Sequence, residues 1–232
     1  MKAELAALRD EVVACRRCPR LVAWREEVGR VKRAAYAAED YWARPLPGFG
    51  DPHAGLFVLG LAPAAHGGNR TGRIFTGDRS GDWLFAALWR GGFANQPQSV
   101  SQDDGLVLTG CYVTAAVRCA PPGNRPLPEE RDNCLPYLER ELTLLQTARV
   151  ILCLGGFAWD AALRALTALG EAVPRPRPRF AHGATVEVGR WILLGCYHPS
   201  QQNTFTGRLT EAMLDEVLQT ARKLVVGGTL PA

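Results

Sequence analysis

The sequence predicts a layered α/β fold built on a parallel sheet, and two observations carry that expectation. Short apolar runs of strand length recur: "LFVLG" (56–60), "YVTAAV" (112–117), "RVILCLGG" (149–156) and the second arm of "TVEVGRWILLGCY". Between them stand amphipathic segments of helix length. Strands alternating with helices pack as a parallel sheet with right-handed crossovers. Ligands of such sheets sit at the carboxyl ends of the strands. The length, 232 residues, suits a single domain, 1–232.

The elements follow in order. Residues 3–14 read as a helix with Leu5, Leu8 and Val12 on one face. "CRRCPR" ends it at the proline, and 22–40 is helical in part. "RPLPGFGDPHAG" is a loop before the first strand. "SGDWLFAALWRGG" (80–92) is a helix that Ser80 can cap and Gly91 and Gly92 stop. After the second strand, a turn-rich segment leads into a helix ending near Gln146, which Pro136 should kink or begin. The third strand turns through glycine into helix 157–168. "PRPRPR" is an extended linker. A hairpin and a last helix, 207–224, close the chain.

Composition excludes several classes. No run approaches the ~18 apolar residues of a membrane span, and the start lacks the apolar core of a signal peptide, so a cytoplasmic protein is expected. The net charge is +4, and of 27 basic residues only Lys2, Lys32 and Lys223 are lysines. This bias fits a GC-rich genome or a thermophile, and the arginines favour phosphate or carboxylate contacts beside a plain solvated surface. Seven cysteines without a secretory signal argue against disulfides.

Cys111, Cys153 and Cys196 lie in or beside strands and read as buried small hydrophobes. Cys15 and Cys18 form a C-x2-C, and Cys119 and Cys134 lie next to arginine or in turn-rich sequence. Four such thiolates suit zinc or an iron–sulfur cluster. The 14 residues between Cys119 and Cys134 are wider than a zinc knuckle and lean toward a [4Fe–4S] cluster.

Three strand-end loops carry the remaining chemistry. "GLAPAAHGGNRTGRIFTGD" (60–78) is rich in glycine but has neither a phosphate-loop lysine nor a dinucleotide fingerprint. Within it, Phe75 reads as a stacking platform for a flat ligand or as a packing residue, and Asp78 as a helix cap or a catalytic acid. In "HPSQQNTFTGRLT", His198 stands directly after the last strand, followed by the polar run Ser200, Gln201, Gln202, Asn203 and Thr204, and by Arg208, read as opening a helix that faces an anion. That arrangement suits an active-site rim.

These loops resemble the uracil-DNA glycosylase superfamily, in its iron–sulfur members and most of all its fifth, B-type family. The motifs are "GLAPAAHGGNRTGRIFTGD", "YVTAAVRCAPPGNRP" and "HPSQQNTFTGRLT", with "GFGDP" ahead of the first strand. The resemblance covers nearly the whole chain. It implies a three-layer fold with a central four-stranded parallel sheet. It implies cluster ligands at Cys15, Cys18, Cys119 and Cys134, with a structural role for the cluster. It implies base-excision chemistry on DNA containing damaged bases, by a chain expected to act as a monomer. Gly60, Leu61, Ala62, Phe75 and Ala115 would bind the flipped base, with Phe75 stacking on it and His198 donating to its carbonyl. Arg73, Ser200, Gln201, Gln202, Asn203, Thr204 and Arg208 would meet the DNA.

Two departures stand out. Other families carry Asp, Asn or Glu at the positions of Leu61 or Ala62 to hold the attacking water, and related iron–sulfur enzymes carry Asn at Ala115 to read the uracil edge. Here all three are apolar. Asp78 and Asn124 are the expected replacements, Asn124 reading equally as a turn residue. Without the edge-reading Asn, substrates beyond uracil are expected: hypoxanthine, xanthine and some modified pyrimidines. Two other readings compete. One is a DNA binder without catalysis, holding phosphates through Arg73, Arg125 and Arg208. The other is a small-molecule zinc enzyme, disfavoured because four cysteines leave zinc no open position.

Overall fold

The computed structural model describes residues 2–227. Among them lie helices α1 (Lys2–Ala14), α2 (Pro19–Val31), α3 (Gly68–Thr71), α4 (Arg79–Arg90), α5 (Pro128–Leu144), α6 (Gly156–Ala168), α7 (Gln201–Phe205) and α8 (Glu211–Gly227). The strands are β1 (Phe49–Gly50), β2 (Leu56–Gly60), β3 (Cys111–Ala115), β4 (Val150–Leu154), β5 (Thr185–Val188) and β6 (Trp191–Cys196). They form one sheet in the order β1-β3-β2-β4-β6-β5. The four inner strands are parallel, as expected, and two antiparallel edge strands, β1 and β5, extend the sheet to six. β5 is the first arm of the expected hairpin, whereas β1 was missed because it spans only two residues. No described helix is long and apolar enough to cross a membrane.

The three layers follow from the period-two alternation of a strand. Leu56 and Val58 face one side, with Leu152, Leu194 and the apolar faces of α4 and α8. Phe57 and Leu59 face the other, with Ile151, Leu193 and the faces of α5 and α6. Each inner strand is buried on both faces, which is why it reads as continuous apolar sequence. Cys111, Cys153 and Cys196 are filler in these layers, and burial pushes their thiols upward, Cys196 to about 12.

Several boundaries differ from the sequence expectation. α4 starts at Arg79, and its cap is Asp78, not Ser80: the Asp78 carboxylate accepts the Gly81 N–H at 3.0 Å. α2 ends at Val31, and only a 3-10 turn, Ala34–Tyr36, continues it. α5 begins at Pro128 and runs through Pro136 as one helix. Pro136 and the residue four before it, Asp132, both lie on the exposed face of the helix, where the lost N–H costs least. The buried side of α5 is meanwhile held by Tyr137, Leu138 and Leu142, and by Glu141, which pairs with buried Arg118 at 2.6 Å. The closing helix is two helices. Arg208 therefore does not open one; it lies exposed between α7 and α8 with its guanidinium 4.6 Å over the Tyr197 ring. Gly207, at φ +69°, breaks the run, and Leu209 is drawn into the core.

Candidate active site

β2, β3, β4 and β6 are parallel, so their carboxyl ends share one edge of the sheet. β2 ends at Gly60, whose register partner is Ala115 at the end of β3. β6 delivers His198 two residues past its last member, Cys196. The loop after Gly60 folds back, with α3 inside it, and places Phe75 over this edge. The Phe75 and His198 rings stand 5.8 Å apart between centroids, tilted by 32°.

Gly60 is glycine for a steric reason. A Cβ there would stand 2.6 Å from the Phe75 ring, inside contact distance. Phe75 itself has φ +56°, a left-handed backbone that bulky residues rarely adopt. Strain of this kind persists where the surroundings over-determine it, commonly at functional sites. Here Arg70 braces the loop: its Nε donates to the His66 carbonyl at 2.9 Å and a terminal nitrogen to the Gly77 carbonyl at 3.1 Å. Thr71 Oγ1 donates to the Thr76 carbonyl at 3.1 Å. Phe75 is 7% exposed and packs in the core beside the strand end.

His198 is half-buried, and its environment brings the imidazole down to about 4 through desolvation. It is neutral at physiological pH and keeps one N–H to donate. Its carbonyl accepts from the Ser200 N–H and from Asn203 Nδ2, each at 2.8 Å, which fixes the segment carrying the ring. Behind it, the Tyr197 N–H donates to His182 Nδ1 at 3.1 Å, and the two rings stack at 4.9 Å.

Asp78 is the half-buried carboxylate of the loop. Burial raises its carboxyl above the usual range; the Gly81 and Ser80 N–H groups pull the other way. Asn124 lies elsewhere. It is exposed in the 3-10 turn Pro122–Asn124 with φ +56°, a conformation Asn tolerates.

The polar run after His198 divides. Ser200 caps α7, accepting the Asn203 N–H. Asn203 braces His198, and Thr204 is half-buried. Gln201 and Gln202 face solvent. Arg73 is a correction. It is 7% exposed and donates to Asp104 at 2.5 Å, Ser99 Oγ at 2.7 Å and Thr76 Oγ1 at 3.0 Å. That guanidinium clamps the 99–104 loop to the pocket loop and has no face left for a phosphate. Burial alone would raise Asp104, but Arg73 and three backbone N–H groups hold its carboxyl at about 2. Sequence reasoning missed Phe205, 67% exposed at the end of α7 with the Arg79 guanidinium 4.7 Å over its ring. The signal was there: one aromatic in an otherwise polar run.

Cys15, Cys18, Cys119 and Cys134 come together from α1, the start of α2, the segment after β3 and α5, and line one small cavity with Arg118, Asn133 and Tyr137. Two donors point at the sulfurs: an Arg25 terminal nitrogen to Cys119 at 3.0 Å and Asn133 Nδ2 to Cys18 at 3.5 Å. Ala62 packs against this group, so the cysteine cavity and the base-side loop share a wall.

Residues 47–222 match the family model of the uracil DNA glycosylase superfamily. A type-5 uracil-DNA glycosylase of Mycobacterium bovis is 57% identical over 95% of this chain and 81% of its own length. One of Thermus thermophilus is 52% identical over 94% of this chain and 97% of its own. The chain belongs to the uracil-DNA glycosylases of type 5. A type-4 uracil-DNA glycosylase of Archaeoglobus fulgidus is 34% identical over 41% of this chain. For a glycosylase the strand-end geometry is apt. The bond to be cut is hidden in the base stack, so a base must leave the duplex to be reached, and the strand-end edge brings an aromatic ring and a neutral N–H donor side by side.

Proposed function

We propose that the strand-end edge carrying Phe75 and His198 receives a base flipped from DNA, and that it takes hypoxanthine, xanthine and some modified pyrimidines as well as uracil. The chain is a DNA-repair enzyme, a monofunctional hydrolase of the N-glycosidic bond between uracil and deoxyribose. The observation that carries the wider substrate range is the floor of that edge. Gly60 and Ala115 pair across two strands and present no side chain that reads a base edge. Leu61 and Ala62 continue it with apolar atoms.

In this reading Phe75 stacks on the flipped base. As the bond breaks, its electron pair moves onto the base, and the His198 N–H stabilises the anion at the base carbonyl. The sugar becomes cationic, and Asp78 orients water onto C1′ and takes its proton. Asp78 is preferred over Asn124 for the water because it is half-buried in the loop after β2, whereas Asn124 occupies an exposed turn. Gln201, Gln202 and Phe205 extend from the rim, where an aromatic wedge can fill the gap that a flipped base leaves.

Cys15, Cys18, Cys119 and Cys134 would hold a [4Fe–4S] cluster. Burial pushes Cys119 to about 12 and Cys134 to about 11, so without a metal these thiols stay protonated, and ligation would release their protons. Among the described residues no three such side chains converge as they would on a single ion; in a cluster each thiolate takes its own iron. Its contribution would be structural, tying α1 and α2 to the segment 119–134. Replacing Cys119 by Ala is expected to lose iron and visible absorbance together with thermal stability; full activity in an iron-free, stable variant overturns this, and zinc in place of iron overturns the cluster.

The substrate range is tested by base release from duplexes holding uracil, hypoxanthine, xanthine or normal bases. Release of the deaminated purines within about tenfold of uracil, and none of normal bases, is expected. Strict uracil specificity sinks the open-floor argument.

A further inference from the structure

The segment 172–184, "AVPRPRPRFAHGA", is more than a linker. β5 is antiparallel to β6, with Thr185 opposite Leu194. The start of β5 therefore lies at the carboxyl end of β6, the edge that carries His198. The chain leaving α6 must climb to that edge, and 172–184 is the stretch that makes the climb.

It is anchored on the way. Trp159 Nε1 donates to the Pro178 carbonyl at 3.0 Å, and Arg177 reaches Asp160 at 3.0 Å. Phe180 packs on Trp159 and Tyr197, at 6.1 and 6.2 Å between centroids. His182 then stacks on Tyr197, the neighbour of His198. Three prolines alternate with the arginines and limit the backbone's freedom, so the arginines are presented with little ordering cost.

The charge is unbalanced. Asp160 accepts from Arg131, Arg164 and Arg177 at once, and Asp132 from Arg131. Arg175 and Arg179 are exposed, and among the described residues neither makes an ion pair. Three guanidinium groups thus share two carboxylates, and Arg175 and Arg179 flank Arg177 on the same segment without a carboxylate of their own.

Building on the glycosylase reading, we propose that the arm Pro174–Arg179 is a second DNA contact, in which Arg175 and Arg179 pair with backbone phosphates beside the flipped nucleotide. The contact is to charge and not to sequence, since nothing on the arm is placed to read a base edge. It is built from arginine, whose planar fork matches phosphate.

The test is the salt dependence of binding to a fluorescent, undamaged duplex, comparing wild type with the double variant R175Q/R179Q and with R175K/R179K. Each phosphate contact adds roughly 0.9 to the slope of log affinity against log salt. The Gln variant is expected to lose about 1 to 2 from that slope, and the Lys variant to keep it. Both positions are exposed, and matching melting temperatures exclude a folding defect. An unchanged slope in the Gln variant overturns the arm and leaves the patch to an acidic protein partner. Base release from uracil duplex by wild type is scored separately, so failure of the arm and failure of the glycosylase reading are told apart.

Discussion

Replacing His198 by alanine lowers the rate of base release by about 10²–10³ at neutral pH, the cost of removing one preorganised donor to a developing anion. The fold should survive, because the segment is held through the His198 backbone carbonyl, by Ser200 and Asn203, and not through the ring. Single-turnover release from a uracil duplex measures the effect; a loss under threefold removes His198 from the chemistry. The pH dependence is a sharper signature. Burial brings the imidazole down to about 4 from an ordinary 6.5. The donor is therefore already neutral at pH 6.5, and the wild-type rate should show no inflection there. The stability follows the same linkage. As pH falls below about 6.5 the unfolded chain takes up the proton first, so His198 destabilises the fold progressively until pH reaches about 4, by about 3 kcal/mol in all. The alanine variant should lack that component of the acid transition.

Asp78→Asn is the second large effect. Asparagine is as good a helix cap as aspartate, so the bond to the Gly81 N–H is kept and α4 should remain formed. What is lost is the proton acceptor, and base release should fall by about 10²–10⁴. Because burial raises the Asp78 carboxyl, the wild-type rate should climb with pH through a midpoint above the usual carboxylate value, and the variant should show no such climb. The linkage has the opposite sense to that of His198. A raised carboxyl favours the protonated native state, so its contribution is present at low pH and is lost as pH rises. Asn should therefore be slightly more stable than Asp at neutral pH. An Asn variant with wild-type rates would leave Asp78 as a cap alone and return the water to another group.

Much of this was legible in order along the chain. The inner strands are buried on both faces, so continuous apolar sequence marked them, and parallel pairing was implied by the helices between. His198 was legible because it follows a strand and precedes a polar run, and the four cysteines outside the strands do line one cavity, apart from the three within the strands. Edge strand β1, the split of the last helix and the passage of α5 through Pro136 were not legible. Each depends on a partner far away in sequence: β1 on β3, Leu209 on the core, and the buried face of α5 on Arg118 and its neighbours.

The site divides in the same way. The sequence by itself determined which side chains are available: a neutral-capable histidine, a glycine at a strand end, one aromatic in a glycine-rich loop, a carboxylate ahead of a helix. Only the tertiary structure decided their states. Burial keeps His198 neutral and makes Asp78 a stronger base. The left-handed backbone at Phe75 sets its ring against Gly60 and beside His198. Asp104, 31 residues along, claims Arg73 for the fold and withdraws it from DNA. Local sequence sets composition and period, whereas desolvation and charge pairing act between residues that only the packed chain brings together.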